Sequence, residues 1–498
     1  MTNKIKRILI ANRGEIAVRI MRTCKELGIE TVAVFSTPDK SAPHVMLADH
    51  SVHIGEAASS ESYLVQDKII DAAKQTGADA IHPGYGFLSE NATFAERCSR
   101  EGIIFIGPSP KSISLMGDKT AARELMSKAN VPFPPGTKKA FTDIEKAKTV
   151  ADEIGYPVLI KAAAGGGGKG MRIVYERENF EPSVRGAKSE AKNAFGDDRV
   201  YIEKYLEEPR HVEFQIMADT HGNIIHLFDR ECSIQRRHQK VIEEAPCAIL
   251  TPGLRASMAE AAVAAARACD YTGAGTIEFL VDKNLNYYFL EMNTRLQVEH
   301  PVTELITGRD LVELQIIVAE GRELPVSQSD IKKQGHAIEC RIYAEDPSDN
   351  FLPSTGLLVK HRIPSGPGIR VDAGVEEGQH VTINYDPMIS KLCVHAPDRD
   401  QAISKMIRAL QEYEIAGCRT TIPFCEFTLK HDAFKSAAYD THFVQNYFNK
   451  TSFEESEIDE SVVALSAALL RSSLSENNTG QKQENSGTVY TNWWKNRR

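Results

Sequence analysis

The chain lacks any run of about 18 apolar residues, so it offers no ordinary membrane-spanning helix. Its first ten residues, MTNKIKRILI, lack the layout of a signal peptide: the apolar run is short and serves as a first strand. The nine cysteines are scattered, with no C-x-x-C and no zinc-ligand spacing. An odd, dispersed set of that kind indicates reduced thiols in a cytoplasmic protein rather than a disulfide framework. Basic residues are outnumbered, 59 Lys and Arg against 68 Asp and Glu, and the net charge of −9 argues against a general nucleic-acid binder. Two phosphate-loop signatures are also missing. No G-x-G-x-x-G follows the first strand, where Gly14 stands alone. The loop KAAAGGGGKG is not a Walker A loop, because Ala163 holds its first glycine position and Gly170 replaces the Ser or Thr. The sequence also contains no Met-Lys dipeptide.

What is present indicates a soluble chain of ordinary composition, whose 498 residues call for two to four domains. It opens as a βαβ unit: RILIA, the helical period of EIAVRIMRTCKEL, Gly28 as a stop, and TVAVFS. Helices near 63–75 and 91–101, with strands at 79–82 and 103–106, extend this to a doubly wound parallel domain ending near residue 114. HPGYGFLSEN (82–91) is a glycine-rich turn at a strand's carboxyl end, where such folds bind ligands. In MGDKTAARELM, Asp118 is a helix cap. Lys119 then opposes the helix dipole unless an anion lies nearby, which suits a phosphate.

Residues 156–174, YPVLIKAAAGGGGKGMRIV, form the most distinctive loop: a strand ending in Lys161, four glycines, Lys169, Gly170 and a second strand. Such a hairpin presents backbone N–H groups to phosphates and closes as a lid. Residues 200–219 join two strand patterns through a proline turn, and Glu203 through Leu206 are placed to lie along an adenine edge. Arg236, Arg237, His238 and Lys240 crowd an anion-binding cluster into an acidic chain. In HAIECRIYAED, Arg341 stands on the polar side of a strand. An α+β closing region follows to about residue 448. The tail shifts in composition, with one short helical pattern at 461–471 and a disordered linker before Trp493 and Trp494, the only tryptophans. Two exposed tryptophans at a flexible end suggest docking on a partner or on the protein itself.

The chain is organised around TIEFLVDKNLNYYFLEMNTRLQVEHP, residues 276–301. TIEFLV and YYFLEMN read as a hairpin around Asp282–Asn286. A turn centred between Asn284 and Leu285 sets Glu278 opposite Glu291 and Thr276 opposite Asn293, all on one face. Two carboxylates about 5 Å apart at Cβ repel unless a proton or hard cation is shared between them. Two carboxylates and an amide oxygen suit Mg²⁺ or Mn²⁺. Continued alternation carries Arg295, Gln297 and Glu299 along the same strip.

Together ANRGEIAVRI, HPGYGFLSEN, MGDK, KAAAGGGGKGM, EKYLEEPRHVE, ECSIQRRHQKVIEEAP, FLEMNTRLQVEHPVTE and ECRIYAED resemble the biotin carboxylases, the ATP-grasp component of biotin-dependent carboxylases. The resemblance covers about residues 3–448 and is most specific at EMNTRLQVEHPVTE. It implies an α/β and α+β ATP-grasp fold: a doubly wound domain at 1–114, an ATP-grasp domain at 115–335 with a lid at about 133–205, a C-terminal domain at 336–448 and an extension at 449–498. It implies ATP binding by Lys119, Lys161, Gly167, Gly168, Glu203, Lys204, Tyr205, Leu206, His211, Gln235 and His238. Glu278, Glu291 and Asn293 would hold two Mg²⁺ or Mn²⁺ ions. Lys240, Arg295, Gln297 and Val298 would surround bicarbonate, Glu299 would deprotonate it, and Arg341 would lie near biotin and phosphate.

The expected reaction activates bicarbonate as carboxyphosphate, which collapses to CO₂ and phosphate. The phosphate takes the biotin ureido proton, Arg295 stabilises the enolate, and biotin attacks CO₂. Biotin is expected on a separate carrier protein, with the carboxyltransferase on a further chain, in a homodimeric enzyme serving an acyl-CoA or pyruvate carboxylase. Two other readings compete. Another ATP-grasp ligase would share the lid and metal residues without needing Lys240, Arg295 and Glu299. A scaffold with a dead site would lack at least one of Glu278, Glu291, Lys240 or Glu299, and all four are here.

Overall fold

The computed structural model describes residues 4–137, 140–141, 143–163, 171–237, 239–449 and 465–469. The first strands form one parallel sheet: β1 (Arg7–Ile10), β2 (Glu30–Ser36), β3 (His50–Gly55), β4 (Ala80–His82) and β5 (Ile104–Phe105), in the order β3-β2-β1-β4-β5. Its middle strands are apolar on both faces because helices cover both. Ile8 and Ile10 join one buried cluster, while Leu9, between them, joins another. The sequence pattern anticipated β1, β2, β4 and β5 but not β3. HSVHIG is a largely exposed strand at the sheet's margin, so no apolar period announces it.

The glycine-rich hairpin is present. β6 (Val158–Ala162) pairs antiparallel with β7 (Arg172–Val174), and β8 (Val200–Lys204) flanks β6 on its other side. Gly167, Gly168 and Lys169 lie outside the described residues.

The site rests on an eight-stranded antiparallel sheet. Its strands are β9 (Arg210–Ala218), β10 (Ile224–Arg236), β11 (Gln239–Ala245), β12 (Gly273–Val281), β13 (Tyr287–Asn293), β14 (His336–Tyr343), β15 (Ile369–Ala373) and β16 (Met388–Ala396). They run in the order β13-β12-β9-β10-β11-β14-β16-β15, so the sheet is continuous across residue 335. One face carries Phe214, Ile216, Ile277 and Phe279 against the helix Pro252–Ala268. The strand-alternate residues Glu213, Gln215, Thr276 and Glu278 are also buried, on the other side.

The chain's contacts separate at residue 450 from those of 451–498. Of the helix expected at 461–471, residues 465–469 are described; they are helical and exposed. Trp493 and Trp494 lie outside the described residues, and no helix among the described residues is long and apolar enough to cross a membrane.

Candidate active site

The β12–β13 hairpin sets Glu278 opposite Glu291 and Thr276 opposite Asn293, as the sequence predicted, though by a different route. The turn spans Asp282–Asn286 as expected but is centred on Asn284, half a residue earlier. Phe279 pairs with Phe289 and Leu280 with Tyr288, Leu285 takes the left-handed conformation (φ 64°), and Asp282 accepts from the backbone of Asn284 and Asn286. An irregularity after Glu278 leaves Leu290 as an extra residue in β13, which restores the expected register at the carboxylates. The strand also stops at Asn293. Arg295, Gln297 and Glu299 are therefore not strand positions but lie in the turn leading into the helix His300–Thr307. Buried Leu296 anchors that turn in the apolar core.

Lys240 is the centre of the site. Its side chain is only 12 % exposed, and its ammonium reaches Glu213 Oε2 at 2.6 Å, Glu278 Oε1 at 3.0 Å and Glu299 Oε1 at 2.6 Å. Strand register explains the crowding: β12 sets Glu278 opposite Glu213 of β9, and like charges so placed need a cation. Each carboxylate has another hold. Glu213 accepts from Arg230 Nε at 2.6 Å, and Glu278 accepts from Asn293 Nδ2 and Gln297 Nε2, both at 2.9 Å. His211 Nε2 stands 3.0 Å from Glu278 Oε2. Glu299 Oε2 accepts from Arg341 Nη2 at 2.9 Å.

Burial opposes every charge here, and the neighbours decide the outcome. For Glu299, burial pushes upward, but Lys240, Arg341 and Arg230 hold its carboxyl well below the usual range. Burial likewise raises Glu278, and Lys240 with His211 brings it down. The Lys240 ammonium would be lowered by burial, yet its three carboxylates raise it. For His211, burial is outweighed by Glu278, so it is raised. At Glu213 burial prevails over Lys240 and Arg230, and its carboxyl is raised. At neutral pH, Glu299 is thus a carboxylate and Lys240 an ammonium.

Arg295 is held from both sides. Its Nε donates to Glu90 Oε2 at 2.9 Å and its Nη2 to Asn293 Oδ1 at 2.9 Å. Glu90 belongs to the glycine-rich turn 82–91, so that turn braces the hairpin; Glu90 also accepts from the Thr294 backbone at 3.0 Å. The other face of Gln297 accepts from Arg230 Nη2 at 2.6 Å. The carbonyl of Val298 accepts from Lys391 Nζ at 2.9 Å.

A second charged group lies under the hairpin. Buried Glu203 accepts from Lys161 Nζ at 2.6 Å and pairs with Arg123. Burial raises its carboxyl, and the two cations bring it below the usual value. Lys204 turns away, donating to the carbonyls of Gly155 and Tyr156 at 2.9 Å each. Tyr205 and Leu206 are half-buried where β8 ends, and Gln235, also half-buried, pairs with Lys240 across the β10–β11 ladder. Asp118 caps the helix Lys119–Lys128, accepting from Thr120 N at 2.8 Å and Ala121 N at 3.0 Å; of Lys119, only its place in that first turn is described. His238 lies outside the described residues.

Sequence reasoning missed several participants: Glu213, Arg230, Glu90 and Arg123. Glu213 had a signal, since it shares the parity of His211 on one strand. Arg230 had none. It is fully buried and spreads donors over Glu213, Gln215, Thr303, Thr276 and Gln297, partners drawn from far along the chain. As for a cation, the ligand atoms of His211, Glu213 and Glu278 lie within 4.8 Å of one another, but the Lys240 ammonium already serves two of those carboxylates. The pair Glu278 and Glu291, the latter exposed, with Asn293 on the same face, is a hard-oxygen donor set that fits Mg²⁺ or Mn²⁺.

Known proteins resemble this chain in sequence and fold. A family model described as "Carbamoyl-phosphate synthase L chain, ATP binding domain" matches residues 118–327. The class is thus an ATP-grasp ligase built on a doubly wound first domain. Models of the biotin carboxylase N-terminal and C-terminal domains match residues 4–113 and 339–446. Biotin carboxylase 1 of Bacillus subtilis is 53% identical over 444 residues, covering 89% of this chain and 99% of that protein. The biotin carboxylase of a Nostoc species is 53% identical over 442 residues, again covering 89% and 99%. The biotin carboxylase domain dimer of Hydrogenobacter thermophilus 2-oxoglutarate carboxylase, solved with MgADP, ADP and bicarbonate, superposes with a TM-score of 0.84 at 46% identity, covering 91% of this chain and 100% of that one. The chain belongs to the biotin carboxylase family of ATP-dependent carboxylating ligases.

Proposed function

We propose that the protein carboxylates biotin on a separate carrier protein, using ATP and bicarbonate through carboxyphosphate, as the first half-reaction of a multi-chain carboxylase of an acyl-CoA or of pyruvate. The observation that carries this reading is Glu299: a buried carboxylate, kept ionised between Lys240 and Arg341, beside the acidic face of Glu278.

Bicarbonate is a poor electrophile, and transfer of the γ-phosphoryl group to it calls for positioning and charge neutralisation. Glu278, Glu291 and Asn293 would hold two Mg²⁺ or Mn²⁺ ions, which supply part of that neutralisation. Lys119, Lys161, Gly167, Gly168, Glu203 through Leu206, His211, Gln235 and His238 bind the nucleotide. Lys240, Arg295, Gln297 and Val298 surround bicarbonate, and Glu299 takes its proton. A carboxylate held this low is a weak base. The cations that lower it also face the bicarbonate and lower its pKa in step, which brings the transfer nearer balance. Arg341 then shifts its charge toward the phosphate released when carboxyphosphate collapses. Arg295, fixed by Glu90 and Asn293, meets the biotin enolate. The lid over residues 133–205 excludes water from the intermediate.

The domain limits belong to the same proposal: 1–114, 115–335, 336–448 and 449–498. So do a homodimer, a cytoplasmic setting, and service to fatty acid biosynthesis when the partner carboxyltransferase uses acetyl-CoA. The dimer solved with MgADP and bicarbonate supports the homodimer, and the relatives' names support the carboxylase setting. The test is carboxylation of free biotin from labelled bicarbonate, with and without ATP. ATP-dependent product is expected; ATP hydrolysis indifferent to bicarbonate and biotin would refute the assignment.

A further inference from the structure

Behind Arg341 lies a pair of acids that the reaction scheme does not use. β11 and β14 pair so that Glu243 stands directly opposite Glu339. Directly opposed side chains in such a ladder have Cβ atoms about 4.5–5.5 Å apart. Both residues are fully buried. Glu243 Oε1 accepts from Arg341 Nε at 2.6 Å, while Glu243 Oε2 has no partner. Glu339 Oε2 accepts from Cys393 Sγ at 3.2 Å, while Glu339 Oε1 has no partner. The cations nearby are shared or committed elsewhere. Arg341 is shared with Glu299, and Lys240 serves Glu213, Glu278 and Glu299. Lys391 serves the Val298 carbonyl, Glu15 at 3.2 Å and Asp372 at 3.9 Å. Two buried carboxylates with an orphan oxygen each and only a guanidinium shared with Glu299 between them cannot both stay ionised.

We propose that Glu243 and Glu339 share one proton, and that this singly charged pair sets how much of the Arg341 guanidinium is left for Glu299. Glu339 is then a positioning residue, acting through Glu243 and Arg341 on the base. This builds on the role proposed for Glu299. The groups facing the pair act in a consistent sense. For Glu243, burial pushes its carboxyl up to about 7, against Arg341 and Lys240 and with Glu299. For Glu339, burial raises the carboxyl well above the usual range, against Lys391 and Arg341 and with Glu243 and Glu299. Because the coupling is reciprocal, a second charge on the pair raises Glu299, and a proton gained by Glu299 releases the one held behind it.

Two readouts test this. In infrared difference spectra of the full-length chain at pH 6, unmutated minus variant, the pair's protonated-carboxyl C=O band is expected for both Glu243→Gln and Glu339→Gln. Retention of the full band in either folded variant would overturn the shared proton whatever becomes of Glu299. In bicarbonate-dependent ATP hydrolysis, Glu339→Gln removes the repulsion on Glu243. The inflection near neutral pH should move to lower pH, with the rate at pH 7 falling roughly tenfold. A uniform loss with an unmoved pH profile would mean a merely structural role. If Glu243→Gln does not fold, the band and profile of Glu339→Gln decide alone. Absence of all bicarbonate-dependent turnover in the unmutated chain, with the band present, would instead refute the role of Glu299.

Discussion

The two main sheets bury their strands for different ends. In the parallel sheet, Ile8 and Ile10 pack on one side and Leu9, Val32 and Val34 on the other, so both faces are apolar. In the antiparallel sheet, one face is apolar and the other only in part, where Met217 and Ala274 join the core. The other brings Glu213, Arg230, Lys240, Glu243, Glu278 and Arg341 out of water together. Replacing a buried ion cluster by packed apolar groups is often neutral or stabilising, so the charged face is not there to hold the fold. Both sheets supply stability through their apolar faces, and the antiparallel sheet also bears a preorganised field at a cost in stability.

That contrast can be broken at several points. Glu299→Gln should reduce bicarbonate-dependent ATP hydrolysis by about 10²–10⁴-fold while leaving nucleotide binding by equilibrium titration largely intact; near-normal turnover would remove Glu299 as the base. Glu278→Ala should raise the Mg²⁺ concentration for half-maximal rate by about 10–100-fold, read from a metal titration at saturating ATP. Lys240→Met leaves three buried carboxylates without their shared cation and should lower unfolding free energy by about 3–5 kcal/mol, besides losing activity; urea denaturation measures it. Ile8→Ala, in the other sheet, should cost about 2–5 kcal/mol yet leave the rate per folded molecule unchanged. A parallel loss of rate there would mean that the sheets do not divide their roles.

The smallest effect concerns acid. Burial holds His44 down to about 4 and His82 down to about 3, from an ordinary 6.5. Their contribution is therefore complete above 6.5 and drains as pH falls through those values. Glu244, in β11, is raised by burial but brought down to about 2 by His336 and Arg399, from an ordinary 4.5. Its contribution persists down to about 4.5 and is lost only below. Amide protection factors, taken relative to the intrinsic exchange rate at each pH, should consequently fall in β1–β4 between pH 6 and 5, before they do in β11; the reverse order would contradict the assignment.

Much of the site was legible because strand alternation is local. The pairing of Glu278 with Glu291 needed only two strand patterns and a turn between them. Its route was less legible, since the earlier turn centre and the extra Leu290 cancel, and such compensation leaves no mark in residue type. The edge strand His50–Gly55 escaped because exposed strands need no apolar face. Arg295 was visible, but its brace Glu90 was not, as the two are 205 positions apart.

By itself, the sequence determined the alternation that turns acids toward one face of a hairpin, the glycine-rich loops, and the motifs that place the chain in its family. These follow from backbone geometry over a few residues and from residue identity. Only the tertiary structure decided that Lys240 would meet Glu213, Glu278 and Glu299 at once, that Arg230 would be entirely enclosed, and that Glu243 would face Glu339. Those encounters depend on the order in which distant strands join one sheet, and it is the low-dielectric interior so formed that gives each charge its chemistry.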